Sequence, residues 1–192
     1  MLSGLGFKEV YNLKAGMMAW EGLQTSGPVE LNMDLVRGDE IPAEMVRLSY
    51  SLENGLQKFY KNMQNRTKDN AIEALFSKLV QIEKSHKKRL VALYRKIEPD
   101  GNDLESWESE AGQGMMEGGF DIEGFTQQNE PFLDTPHHVI DLAMMLEAQA
   151  LDLYLRFSQK TENAKTKEVL FKLADEEKAH LDALGRWLDE KT

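Results

Sequence analysis

The sequence predicts an all-α fold: a four-helix bundle built from two helical hairpins joined by one long crossover. Three observations carry that expectation. Apolar residues recur at three- and four-residue spacing over four long segments, the stripe of core-facing helices. Sliding the chain by 94 positions lays the first pair of segments on the second without a gap. Between the pairs, residues 97–135 are rich in Gly, Glu and Asn and long enough to run the length of a bundle.

The first helix is expected over about 42–64. Pro42 suits its first turn, where a missing N–H costs nothing, and Met45, Leu48, Leu52, Leu56, Phe59, Tyr60 and Met63 form its stripe. A polar break, Asn65 to Asn70, precedes the second helix, about 69–96. Its stripe is Ile72, Leu75, Phe76, Leu79, Ile82, Leu90 and Leu93, and it should end before Pro99. In the crossover, Trp107, Met115, Met116, Phe120, Phe125 and Phe132 suggest a segment draped over the core, with a short helix around 104–116. Thr135-Pro136 supplies an N-cap and first-turn proline for the third helix, 136–160, which carries Ile140, Leu142, Leu146, Leu151 and Tyr154. The fourth, 164–190, follows the Thr161-Glu162-Asn163 break and carries Val169, Leu170, Leu173, Leu181, Leu184 and Leu188.

Residues 1–27 read differently. Val10 to Leu13 is a short β-prone run, followed by a Lys14-Ala15-Gly16 turn and a small amphipathic stretch, Met17 to Trp20. One strand and one helical turn cannot bury a core alone, so this stretch reads as the tail of something larger. Residues 28–41, with Pro28, Gly38 and several charges, read as a linker.

At 192 residues and 41% hydrophobic content the chain can bury a real core. Its 33 acids against 23 bases give a net charge of −10, which argues against a nucleic-acid or anionic-membrane binder. The absence of cysteine excludes disulfides, thiolate metal centres, iron–sulfur clusters and a thiol nucleophile. No apolar run reaches a membrane-spanning length and no signal peptide is evident, so a cytoplasmic protein is expected.

The repeat carries the chemistry. Leu52 falls on Leu146, Glu53 on Glu147, Tyr60 on Tyr154, Leu79 on Leu173, Glu83 on Glu177, His86 on His180 and Leu90 on Leu184. Each half therefore reads Glu, then thirty residues later Glu-x-x-His. With the first turn centred near residue 68, Glu53 and Glu83 each lie about 15 residues, or roughly 22 Å, along their helices and so face each other at one level. The second hairpin, centred near 162, does the same for Glu147 and Glu177. A three-residue step returns to nearly the same helix face, so each Glu and its His point together.

Four carboxylates and two imidazoles thus converge on one layer of the bundle interior. Buried carboxylates close together repel and each costs several kcal/mol without a partner; two divalent ions would neutralise the four charges. A lone Glu-x-x-His reads as a solvated helix motif, whereas the doubled motif at matched depth reads as a metal site. Tyr60 and Tyr154 lie two turns beyond the single glutamates on the same face, either as hydrogen-bond partners of the ligands or as ordinary core tyrosines. His137 and His138 precede Glu147 by about 15 Å of helix and read as solvated first-turn residues. Met115-Met116 and Met144-Met145 read as packing.

Glutamates from two helices and Glu-x-x-His from two others are the ligand pattern of ferritin-like di-iron carboxylate bundles. On these residues the segment from 42 to the C-terminus resembles the rubrerythrins. The resemblance implies that Glu83 and Glu177 bridge two iron ions, that Glu53 and Glu147 are terminal ligands, and that His86 and His180 each cap one metal. The irons would cycle between Fe2+ and Fe3+ with an oxo or hydroxo bridge, with manganese or zinc as substitutes. It further implies a di-iron oxidoreductase that reduces peroxide or dioxygen, draws electrons from a separate donor protein, and assembles as a homodimer in which helices can be exchanged. Two departures stand out. Rubrerythrins commonly carry another glutamate three residues beyond the third-helix ligand, where this chain has Ala150, and the cysteine-bearing rubredoxin module has no counterpart here. Non-enzymatic iron binding or storage is the alternative, as is a metal-stabilised interaction module associated with a sulfurtransferase. The latter arises because residues 6–20 resemble the last strand and helix of a rhodanese domain. Without its cysteine and loop, such a remnant has no sulfurtransferase activity.

Overall fold

The computed structural model describes residues 39–99, 115–116 and 120–191. The strand and helix expected within residues 1–27, and the linker except for its last residues, lie outside that range. Four long helices dominate: α1 (Pro42–Arg66), α2 (Asn70–Ile97), α4 (Pro136–Lys160) and α5 (Ala164–Lys191). Their starts follow local chemistry. Glu44 reaches back to accept from the Ile41 amide at 3.0 Å, and Pro42 occupies the first turn of α1. The Asp69 carboxylate accepts from the amides of Ala71 and Ile72, Thr135 Oγ1 from that of His138, and Asn163 Oδ1 from those of Lys165 and Thr166. Each side chain satisfies amide donors that the first helical turn leaves unpaired.

The helices form two hairpins, α1/α2 and α4/α5, packed face to face with α1 against α5 and α2 against α4. Two contacts fix their relative direction. Thr166 at the start of α5 donates to the Glu40 carbonyl at the start of α1. At the other end, Arg66 at the close of α1 pairs with Glu130 just before α4, at 2.7 Å. The two hairpin turns therefore lie at opposite ends of the bundle, and the crossover returns along its length, as a ferritin-like bundle requires.

The crossover is more structured than its composition suggests. Two-residue strands β1 (Met115–Met116) and β2 (Phe120–Asp121) pair antiparallel, and α3 (Ile122–Asn129) and a 3-10 turn (Glu130–Phe132) lead into α4. The short helix expected around 104–116 is corrected at its end: Met115 and Met116 are extended, and residues 104–114 lie outside the described range. The reason is Gly55 on α1. A β-carbon there would collide with the Met115 carbonyl oxygen and stand 2.8 Å from the Met116 Cα, so a bare helix backbone receives an extended strand. α3 was not expected, because Gly124 interrupts its pattern; Asp121 starts it by accepting from the Gly124 amide at 2.7 Å.

The core divides into two apolar clusters. One gathers Leu52, Leu90, Tyr154, Leu170 and Leu173; the other gathers their repeat partners Leu146, Leu184, Tyr60, Phe76 and Leu79. The 94-residue repeat thus exchanges the two clusters, as a pseudo-two-fold across the bundle would. The glutamates and histidines lie between them.

Candidate metal centre

Glu53, Glu83 and His86 form one group and Glu147, Glu177 and His180 the other, and all six side chains are buried. In the first, Nδ1 of His86 lies 3.3 Å from Oε2 of Glu53 and 3.2 Å from Oε2 of Glu83. In the second, Nδ1 of His180 lies 3.2 Å from Oε2 of Glu147 and 2.8 Å from Oε2 of Glu177. The matched distances are the repeat expressed in space. Each imidazole offers Nδ1 to two carboxylates, one from its own helix and one from the facing helix of its hairpin.

The two groups make one cluster. The His86 and His180 rings stack with centroids 3.5 Å apart and planes 8° from parallel, which fixes both imidazole orientations. Burial and the neighbouring Glu83 charge push the Glu53 carboxyl well above the usual carboxylate range. Burial also pushes Glu83 up to about 8; contact with Glu53 and the Lys87 ammonium oppose this, and the Glu147 charge adds to it. Glu147 moves the other way: burial would raise it, but hydrogen bonds with His180 and Glu177 and the charge on His180 hold it below its ordinary value.

Neither oxygen of Glu83 completes a well-aligned hydrogen bond among the described residues. Its neighbours are the Glu53 carboxyl, which donates only when protonated, and Nδ1 of His86. Fully buried carboxylate oxygens without donors are costly, and a cation relieves that cost. A set of four carboxylates and two imidazoles, with no sulfur, suits iron, manganese or zinc. The residues present fit a pair of divalent ions.

The other expected residues separate. Tyr60 and Tyr154 are fully buried at equivalent places in the two apolar clusters. Ala150 is buried in the first cluster and brings no carboxylate. His137 and His138 stay out of the cluster, near Asp141 at 3.3 Å and Asp134 at 2.9 Å respectively. Met116 is fully buried and Met115 exposed, while Met144 and Met145 pack against the second cluster.

Sequence reasoning missed the residues behind the first group. Lys87, beside His86, is buried; its Nζ donates to Asn54 Oδ1 at 2.6 Å and lies 5.4 Å from the centre of the Tyr50 ring. It stands in the run Lys87-Lys88-Arg89, which reads as a solvated face. The available signal was Asn54, a polar residue next to Glu53 on the same inward stripe.

No curated protein and no solved structure matches the chain. Residues 44–188, about three-quarters of the chain, match the family model described as Rubrerythrin, and this segment holds all six clustered Glu and His residues. By that match, and with a ferritin-like bundle enclosing two buried Glu/Glu/His groups, the chain belongs to the rubrerythrin family.

Proposed function

We propose that the protein is a di-iron oxidoreductase that reduces hydrogen peroxide, or dioxygen, at the buried Glu/His layer. The observation that supports it best is the pair of symmetry-related Glu/Glu/His groups, joined by the stacked imidazoles. Bound there, two ferrous ions would supply the two electrons needed to cleave an O–O bond. Glu83 and Glu177 would bridge the ions, Glu53 and Glu147 would each hold one, and His86 and His180 would ligate through Nδ1.

The chain's own part is electrostatic and positional. Burial raises the Glu53 and Glu83 carboxyls and so favours their protonated forms; cation binding works against that, so uptake strengthens with rising pH. The apolar clusters on either side keep bulk water from the layer. Tyr60 and Tyr154, two turns from the single glutamates, would orient the ligands through their hydroxyls. Ala150 leaves the additional carboxylate of other rubrerythrins without a replacement, so the ligand set stays at six residues.

Anaerobic titration with ferrous iron tests the proposal. Saturation at two ions per chain, followed by rapid bleaching of added peroxide and a new visible absorption, is the expected result. Uptake without peroxide consumption would move the protein to iron handling, and no uptake would refute the site.

A further inference from the structure

The net charge of −10 hides a strong asymmetry. Between residues 42 and 97 twelve Lys and Arg stand against five Asp and Glu, a net of +7; the remaining residues carry 11 bases against 28 acids, a net of −17. Two of the five acids in the first hairpin, Glu53 and Glu83, are buried in the metal layer. The outer face of this hairpin is therefore almost purely cationic. Along it runs a groove between α1 and α2 of about 810 Å3, lined by Lys61, Lys84, Lys87, Lys88 and Arg95 with no carboxylate. Lys61, Lys84, Lys88 and Arg95 are exposed and form no ion pair among the described residues.

The groove's shape selects the kind of occupant. From Ser77 to Arg95 it extends about 27 Å along α2, far longer than a small anion. Cations spaced along a shallow trough do not converge on one small anion. They match an acidic surface that lies along the hairpin. A second copy presenting the same face would meet like charge. The strongly negative remainder of the molecule disfavours a nucleic acid, whose phosphates continue beyond the groove.

The floor of the groove is the back of the metal layer. Lys87 lines it and follows His86; its partner Asn54 follows Glu53. The groove therefore borders the ligands along the same two helices, with Lys87 and Asn54 one residue from His86 and Glu53, and Gln57 one turn from Glu53. These 192 residues contain no cysteine to hold an iron–sulfur or rubredoxin-type relay, so the redox reading needs an electron donor beyond them. We infer that the α1/α2 groove is the docking surface for the electron donor, a separate small redox protein with an acidic face. This rests on the redox reading of the Glu/His layer. With iron held by the six Glu and His residues, a one-electron donor would have to dock twice to return the two electrons spent on each O–O bond.

The test uses the full chain and an acidic [2Fe–2S] ferredoxin as probe. Binding to the metal-free protein is measured by calorimetry at low and high salt, for wild type and for the Lys61→Glu/Lys84→Glu/Lys88→Glu variant. A Lys172→Glu/Lys178→Glu variant on the other hairpin is the control. The expected result is binding that weakens at least tenfold in the groove variant and steeply with salt, and is unchanged in the control. With iron loaded, the groove variant should be reduced at least tenfold more slowly by ferredoxin and at the wild-type rate by dithionite. Absence of ferredoxin binding at low salt, equal weakening in both variants, or tighter binding of duplex DNA than of ferredoxin would overturn the inference. Loss of iron uptake with groove-dependent ferredoxin binding intact would instead overturn the redox reading on which it rests.

Discussion

Replacing Glu83 with glutamine should make the metal-free protein more stable while destroying its metal site. The Glu83 carboxyl is pushed up to about 8 from an ordinary 4.5, chiefly by burial. The fold therefore favours its protonated form. Its contribution to stability is fully present below the ordinary carboxylate value and is lost as pH rises toward 8. At about 1.4 kcal/mol per pKa unit, a single site shifted this far has lost about 4 kcal/mol at pH 8 but only about 1 kcal/mol at pH 5. Glutamine has nearly the same volume and no charge to lose.

The assay is thermal unfolding in the presence of a chelator across pH 5–8, where the depressed Glu147 contributes little slope, and that of the opposite sign. At pH 8 the Glu83→Gln variant should melt roughly 8–16 °C above wild type, at about 2–4 °C per kcal/mol for a chain of this size. The two should converge toward pH 5. Glu53, raised in the same sense, leaves a residual downward slope in the variant. Adding ferrous iron under anaerobic conditions should reverse the order, because ligand binding stabilises only the protein that binds it. A metal-free variant no more stable than wild type at pH 8 would refute the reasoning, since the buried charge would then have a partner the geometry does not supply.

Other consequences follow from the same structure. Glu83→Ala and Glu177→Ala should each lose binding at both metals, whereas His86→Ala should mainly weaken one, as measured by metal content after gel filtration. On the acid side the sign inverts. The Glu147 carboxyl sits below its ordinary value, so the stability it contributes is lost as pH falls below about 4.5. Metal-free melting temperature should therefore fall on that side too, while Glu147→Gln should remove much of that decline. Gly55→Ala should destabilise by about 1–3 kcal/mol through collision with the Met115–Met116 strand, outweighing the helix-propensity gain of about 1 kcal/mol. An unchanged or raised melting temperature would mean the strand does not sit on α1. Asp69→Ala should cost about 1 kcal/mol by leaving the Ala71 and Ile72 amides uncapped, read by chemical denaturation.

The four long helices were legible because their signals are local and redundant. Pro42, Asp69, Thr135 and Asn163 each mark a start, and the apolar stripes repeat over six or seven turns. The ligand cluster was legible for a different reason: a repeat converts sequence spacing into depth, so Glu53 and Glu83 must meet once the turn between them is short. The crossover was not legible. Met115 and Met116 are strand because Gly55, sixty residues away, admits a backbone against α1, and no local pattern encodes that contact. Lys87 was hidden likewise, since its burial depends on Asn54 and Tyr50 from the facing helix.

The repeat and its departures divide the labour of the protein. The two Glu/Glu/His groups are matched across the halves, down to the distances from each Nδ1 to its glutamates, as a pair of similar ions would require. Their surroundings are not matched. Asn54, Gly55 and Lys87 correspond to Ala148, Gln149 and Leu181 in the second half, and the cationic groove lies on the first. Protons distribute accordingly: Glu53 and Glu83, enclosed with little compensating charge, are raised, while Glu147, bonded to His180, is depressed. A pair of ions bound in this layer would therefore meet unequal fields, with Glu53 and Glu83 giving up protons that Glu147 does not hold as readily. If electrons arrive through α1 and α2, the group of Glu53, Glu83 and His86 lies nearer their entry than its counterpart on α4 and α5. His86→Ala and His180→Ala should then differ in a way the symmetric ligand set does not predict. Ferredoxin-driven reduction should slow more in the former, and equal slowing in the two would show that the outer asymmetry has no bearing on electron flow.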